Sequence, residues 1–95
     1  MNSSLGVIIP AFNEEEGITP TIKELRLAIN DANIIIVDGN SQDKTFELAK
    51  ELGVEVINQN GKGKGNALFQ GFANLNGDVI YVAFTDADYT YLPFI

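Results

Sequence analysis

Asp86-Ala87-Asp88 is the residue pair in this sequence best suited to chemistry. Two carboxylates one residue apart, directly after an apolar run that reads as a strand, can turn toward one cavity. They would offer hard oxygen ligands to Mg²⁺ or Mn²⁺, and an ion held that way bridges to a diphosphate. The plainer reading is two solvated turn residues. Asp38 ends a second apolar run. It either caps a turn by accepting backbone N–H groups or accepts donors from a nucleobase or a ribose hydroxyl. Asp43 suits support of a helix's first turn through the macrodipole. Gly61-Lys62-Gly63-Lys64-Gly65 carries two of the six basic residues. Such a loop can close on phosphates with backbone N–H groups and ammonium charge, or it can be a mobile solvated loop. Glu14-Glu15-Glu16 reads as a solvated acidic run before a helix, where negative charge is favourable. Asn13 and Glu14, nearest the strand end, are the two placed to face a ligand. Tyr89 and Tyr91 suit packing or the lining of an acceptor site.

What the composition lacks narrows the chemistry further. The 95 residues contain no cysteine and no histidine. Disulfides, a thiolate nucleophile, cysteine-based zinc sites and the commonest general base are therefore excluded. Acid–base or metal chemistry must run on carboxylates. Thirteen acidic against six basic residues give a net charge of −7, which disfavours nucleic acid and anionic membrane surfaces as partners. A phosphorylated ligand would need a carboxylate-held cation or backbone N–H groups to attract it. With 45% hydrophobic and 20% charged residues the chain is globular, and its length fits a single domain over 1–95. No basic-then-apolar leader opens it, and no apolar run approaches the roughly 20 residues of a membrane span. The expected location is cytoplasmic.

Four short apolar runs alternate with amphipathic stretches, the signature of βαβ units and a parallel sheet. Leu5–Pro10 is the first strand. Ile18, Ile22, Leu25 and Ile29 recur at helical spacing, with Thr19 as cap and Pro20 in the first turn. Asn33–Asp38 reads as a strand buried on both faces. Ser41 is the expected N-cap of a second helix through Leu52, whose apolar face is Phe46, Leu48, Ala49 and Leu52, with Gly53 after it. Val54–Ile57 reads as an edge strand. A third helix starts near Asn66 and ends at Asn76-Gly77, with an apolar stripe of Leu68, Phe72 and Leu75 widened by Phe69 and Ala73. Asp78–Thr85 is the fourth strand. Right-handed crossovers make this a three-layer αβα, Rossmann-like unit with strand order 3-2-1-4. The segments after strands 1, 2 and 4 then converge on one edge of the sheet, and the glycine loop Asn58–Gly65 must reach the same edge.

Taken together, these segments resemble the N-terminal half of family-2 inverting glycosyltransferases, above all the dolichyl- and polyprenyl-phosphate sugar transferases. Val7–Ile18 (VIIPAFNEEEGI) resembles that family's opening strand and P-x-[FY]-N-E signature. Val37–Thr45 (VDGNSQDKT) is similar to its V-D-[DG]-x-S-x-D-x-T element, and Gly63–Ala67 (GKGNA) to its G-K-G-x-A segment. Asp78–Asp88 is similar to the strand that leads to its D-x-D. The resemblance implies a GT-A-type domain that binds a UDP- or GDP-sugar. It places Pro10, Phe12, Glu14 and Asp38 around the nucleoside and Lys64 near the nucleotide. Asp86 and Asp88 would hold Mg²⁺ or Mn²⁺ on the diphosphate. A polyprenyl- or dolichyl-phosphate acceptor is already anionic, its second pKa being about 6, so such an acceptor needs no general base; no residue is assigned as catalytic. Where the family usually has a second acidic residue after Asp38, this sequence has Gly39. The family's later strands and acceptor loops are not in the 95 residues, so the resemblance implies a partial domain. Membrane contact would come through a missing C-terminal region; were the chain intact at 95 residues, self-association would cover the fourth strand.

Three other classes compete. Asp86-Ala87-Asp88-Tyr89-Thr90 also fits the D-x-D-x-[TV] motif of haloacid-dehalogenase-like phosphatases, in which the first Asp attacks phosphorus. That family carries the motif on its first strand, whereas here it follows the last. A nucleotidyltransferase needs a basic glycine-rich loop after strand 1, where this chain has Asn13–Glu16. The third alternative is a non-catalytic fragment or assembly module that retains only a donor-nucleotide site.

Overall fold

The computed structural model describes residues 5–29 and 31–75, together with the backbone of 81–84. Seven elements follow in the order β1 (Leu5–Ala11), α1 (Ile18–Ala28), β2 (Asn33–Asp38), α2 (Thr45–Glu51), β3 (Glu55–Asn58), α3 (Lys64–Ala73) and β4 (Tyr81–Phe84). The four strands form one sheet in the order β3-β2-β1-β4, as expected from right-handed crossovers. Every pairing is parallel.

The apolar runs of β1 and β2 explain why these strands are central. Successive side chains of a strand point to opposite faces, so a strand covered on both sides needs apolar residues at every position. Val7, Ile9 and Ala11 of β1 join Ile34 and Ile36 of β2 against Ile18, Ile22 and Leu25 of α1 and Ala49 of α2. On the other face Ile8, Ile35 and Val37 pack with Ala67 of α3. Helices α1 and α2 therefore cover one side and α3 the other, which is the αβα layering the alternation of elements predicts. Strand β1 runs one residue past Pro10, to Ala11.

The helix starts differ from expectation. Helix α1 is capped by Gly17, not Thr19, and no side-chain oxygen closes its first turn. The preceding turn does that job, since the Glu14 carbonyl accepts both Gly17 N–H (3.0 Å) and Ile18 N–H (2.8 Å). Helix α2 starts at Thr45 after Lys44, not at Ser41, because the Ser41 hydroxyl is bonded elsewhere. Helix α3 starts at Lys64, two residues earlier than the sequence suggests. Its buried face is Ala67 and Gly71, flanked by Leu68 and Leu75, while Phe69 and Phe72 are 71% and 58% exposed. A Cβ on Gly71 would come within 2.4 Å of Ile8 Cγ2. The helix lies so close to the sheet that its contact face admits only small residues, and the phenylalanines are turned outward. Helix α3 ends at Ala73 with Asn74 as its cap, short of the expected end at Asn76-Gly77; those two residues and the flanks of the fourth strand (78–80 and Thr85) fall outside the described residues.

Two glycines in α3 give a paired test. Gly71→Ala should lower stability by about 1–3 kcal/mol through overpacking against Ile8 and Val37, despite the better helix propensity of alanine. Gly65→Ala, with nothing within 4 Å of its Cβ, should be neutral or stabilising. Urea midpoints of both variants check the contrast; equal effects would contradict the close packing.

Candidate functional site

Register brings the loops together. Ala11 pairs with Asp38 and Asp38 with Asn58, so β1, β2 and β3 end level with one another. The ladder continues one step further, from Gly39 N–H to the Ala11 carbonyl (2.8 Å) and from Gln59 N–H to the Asp38 carbonyl (2.7 Å). The loops 12–17, 39–44 and 59–63 therefore leave the same edge of the sheet. This is the carboxyl edge at which doubly wound sheets bind ligands.

The first two loops are bonded into one unit. Asp38 is 2% exposed. Its Oδ2 accepts Ser41 N–H at 2.9 Å and its Oδ1 accepts the Ser41 hydroxyl at 2.6 Å. That hydroxyl in turn accepts Asn13 N–H at 2.8 Å. Asn13 has φ 52°, a left-handed conformation that asparagine tolerates better than most residues. Its side-chain carbonyl accepts Gln42 N–H at 2.8 Å. Further along, Glu14 N–H donates to Thr45 Oγ1 (2.8 Å), Glu15 N–H to Asp43 Oδ2 (3.2 Å), and Lys44 N–H to Glu15 Oε1 (3.1 Å). Asp38 thus caps this turn, with Ser41 supplying a donor to each of its carboxylate oxygens. Asp43 accepts both the N–H and the hydroxyl of Thr45, the first residue of α2. Partial desolvation pushes the Asp43 carboxyl up, but the donors from Thr45 and Glu15 outweigh it and hold the group below its ordinary value.

Two clefts flank this unit. One, of about 630 Å³, is lined by Asn13, the three glutamates 14–16, Gly17, Gln42 and Asp43. Among the described residues no three acidic side chains converge closely enough to hold a metal ion. The other, of about 690 Å³, is lined by Pro10, Phe12 and Glu14 from the β1 end, by Gly39 and Gln59, and by the glycine loop with Lys62 and Lys64. It unites four of the residues expected around a nucleotide: Pro10, Phe12, Glu14 and Lys64. Phe12 is 55% exposed, a flat apolar face at the cleft. Asp38 lines neither cleft, although its neighbour Gly39 lines the larger one. Lys64 is the first residue of α3, where a cation opposes the helix dipole unless an anion sits beside it. Asp86 and Asp88 fall outside the described residues, as do Tyr89 and Tyr91. The D-x-D begins two residues after β4 ends.

The glycine loop is tied down by amides. Gln59 Nε2 donates to the Gly63 carbonyl (3.0 Å) and to Asn66 Oδ1 (2.8 Å). Gln70 Oε1 accepts Asn60 N–H (2.9 Å), and Gln70 Nε2 reaches Asn66 Oδ1 (2.6 Å). Gly61 and Gly63 have φ +100° and +93°, which other residues rarely adopt. Ser41 is the serine of the V-D-[DG]-x-S-x-D-x-T element, whereas no motif marks Gln59; the bonds each makes depend on chain reversals that only the fold reveals.

The sequence model of Glycosyl transferase family 2 matches residues 6–94. This chain belongs to that family. It is 41% identical over 91 residues to the low-salt glycan biosynthesis hexosyltransferase Agl6 of Haloferax volcanii, covering 93% of this chain and 22% of that protein. It is 36% identical over 96 residues to the dolichol-phosphate mannosyltransferase of Pyrococcus furiosus, covering 94% and 27%. Among solved structures it is similar to glucosyl-3-phosphoglycerate synthase from Mycobacterium tuberculosis in complex with Mn²⁺, UDP and glucosyl-3-phosphoglycerate. That match has TM-score 0.76 and 29% identity, and covers 88% of this chain and 33% of the other. The chain thus spans between about a fifth and a third of these relatives. The family-2 αβα fold expected from the motifs is borne out.

Asp43 gives a pH prediction for this site. Its folded-state pKa lies below the ordinary 3.8, so its contribution is complete above that value and is lost as pH falls through the lower folded one. Asp43→Asn should therefore lower the melting temperature at pH 7, and the gap to the parent should shrink as pH falls below about 3.8. Thermal melts followed by circular dichroism check this. A gap that stays constant to pH 2.5 would contradict it.

Proposed function

We propose that this chain is the donor-binding part of a glycosyltransferase that takes a nucleotide-diphosphate sugar and, with a divalent cation, delivers the sugar to a phosphate acceptor with inversion. The observation that carries this reading is the cleft of about 690 Å³ that gathers Pro10, Phe12, Glu14 and Lys64 at the carboxyl edge of the sheet. Phe12 offers a face for a base to stack on. Lys62 and Lys64, with the amide groups that open α3, offer positive charge and donors to a diphosphate. Asp38 contributes by holding Ser41, and through it the Asn13–Glu15 loop, in place. The bound Mn²⁺ and UDP of the mycobacterial relative support a metal-assisted nucleotide site.

Asp86 and Asp88 are the residues proposed to hold the metal, which would be Mg²⁺ or Mn²⁺. Carboxylates are the oxygen ligands these ions prefer, and the chain has no histidine or cysteine to offer instead. Bound there, the ion would offset the charge developing on the departing diphosphate. In the transfer, the bond from the sugar's anomeric carbon to the diphosphate oxygen breaks and its electron pair leaves with the nucleoside diphosphate. An acceptor phosphate oxygen forms the new bond on the opposite face. A polyprenyl or dolichyl phosphate suits this step because it arrives already deprotonated, and the Pyrococcus relative is named for such an acceptor. No helix among the described residues is long and apolar enough to cross a membrane; a lipid acceptor would be met at the cytoplasmic face of a membrane, reached through a segment beyond these 95 residues.

Calorimetric titration of UDP, GDP and their sugar conjugates, in Mn²⁺ and in EDTA, tests the reading. Binding of a nucleoside diphosphate should need the metal and should weaken at least tenfold, by our estimate (about 1.4 kcal/mol or more), in the Asp86→Asn/Asp88→Asn variant. Absence of binding at millimolar ligand would favour an assembly module instead. Binding indifferent to EDTA and to the double variant would remove Asp86 and Asp88 from the site.

A further inference from the structure

Gln59 has an orientation that its surroundings decide. The oxygen and nitrogen of a glutamine amide look alike in shape, and only the partners tell them apart. The Gly63 carbonyl can accept but never donate, so the atom 3.0 Å from it must be Nε2. The second hydrogen of that nitrogen goes to Asn66 Oδ1 at 2.8 Å. Both amide donors are thereby used. The remaining atom, Oε1, is turned toward Gly39, where it would lie 3.3 Å from a Cβ at that position. No donor to Oε1 is found among the described residues. Gly39 has no side chain to fill the space, and the Phe12 Cβ borders the same point at 3.7 Å. All three residues line the larger cleft. The result is a fixed hydrogen-bond acceptor beside an open slot walled by an exposed aromatic ring.

We propose that Gln59 Oε1 is a specificity-determining acceptor of the donor site, selecting a nucleoside diphosphate whose base presents a ring N–H, namely uracil or guanine. This rests on the donor-site reading above and adds to it the residue that reads the base. Uracil and guanine carry a hydrogen on the central ring nitrogen of their pairing edge. Cytosine and adenine carry a lone pair there, which would face Oε1 directly. Gln59 cannot flip its amide to suit them, because Nε2 would then abandon Gly63 and Asn66 and bring Oε1 against the Gly63 carbonyl. A site built around one acceptor rejects ligands that lack the matching donor, because the acceptor is left unpaired.

The test titrates the 95-residue chain with UDP, GDP, CDP and ADP in Mn²⁺. It then compares the tighter of UDP and GDP with its ring-N-methylated form (N3-methyluridine or N1-methylguanosine diphosphate), which lacks the hydrogen. UDP or GDP should bind about three- to tenfold tighter than CDP and ADP, the worth of one hydrogen bond. Methylation should cost at least as much, and Gln59→Leu should erase most of both differences. The methylated ligand leaves the protein untouched, so the first comparison holds even if Gln59→Leu disturbs the glycine loop. CDP or ADP binding as tightly as UDP and GDP, a methylated ligand binding as well as its parent, or discrimination that survives in Gln59→Leu would each overturn the role of Gln59 while leaving the donor site standing. Failure of every nucleoside diphosphate to bind would overturn the donor site and this inference together.

Discussion

A carboxylate removed from water must be given hydrogen-bond donors or it destabilises the fold that buries it. In this chain Asp38 is that carboxylate, at the last position of a central strand and 2% exposed. Ser41 satisfies it twice, with its N–H and its hydroxyl. The same hydroxyl accepts Asn13 N–H, and the chain of bonds continues through Gln42, Thr45 and Asp43. Two loops that leave different strands are therefore held as one body. The walls of both clefts, including Glu14, which borders each of them, take their position from that lacing.

The opposite wall of the larger cleft is set by packing. Gly71 lets α3 come within contact distance of Ile8 and Val37, which fixes where the helix begins and hence where Lys64 stands. The amides of Gln59, Asn66 and Gln70 then fasten the glycine loop to the helix that follows it. A rigid sheet edge on one side and an anchored helix start on the other leave little to be ordered when a ligand enters. Such preorganisation lowers the entropic cost of binding.

The sheet was the most legible part of the sequence. Continuous apolar runs at Leu5–Pro10 and Asn33–Asp38 can only be strands covered on both faces, and their alternation with helical periodicity leads directly to the order β3-β2-β1-β4. The helix starts were less legible because capping was inferred from residue type. Thr19 and Ser41 are good caps in general, yet the Glu14 carbonyl supplies the first helix and the buried Asp38 claims Ser41. Periodicity also made Phe72 an inward residue. It could not reveal that the helix approaches too closely at Gly71 to leave room for aromatic rings. Pro10, Phe12, Glu14 and Lys64 were expected at one site through the resemblance of their motifs to the family, and they line one cleft. Gln59 was not expected there, since the orientation of its amide depends on Gly39 lacking a side chain twenty residues away and on where the Gly63 carbonyl points.

Ser41 couples the buried carboxylate to the Asn13–Glu15 loop. Amide hydrogen exchange followed by NMR, in the parent and in Ser41→Ala, tests this coupling most directly. The Asn13, Glu14 and Gln42 amides should be protected together in the parent, and Ser41→Ala should speed Asn13 exchange by about tenfold or more while the β1 and β2 amides stay protected. Exchange of Asn13 at unfolded-chain rates in the parent, or at an unchanged rate in Ser41→Ala, would contradict the account.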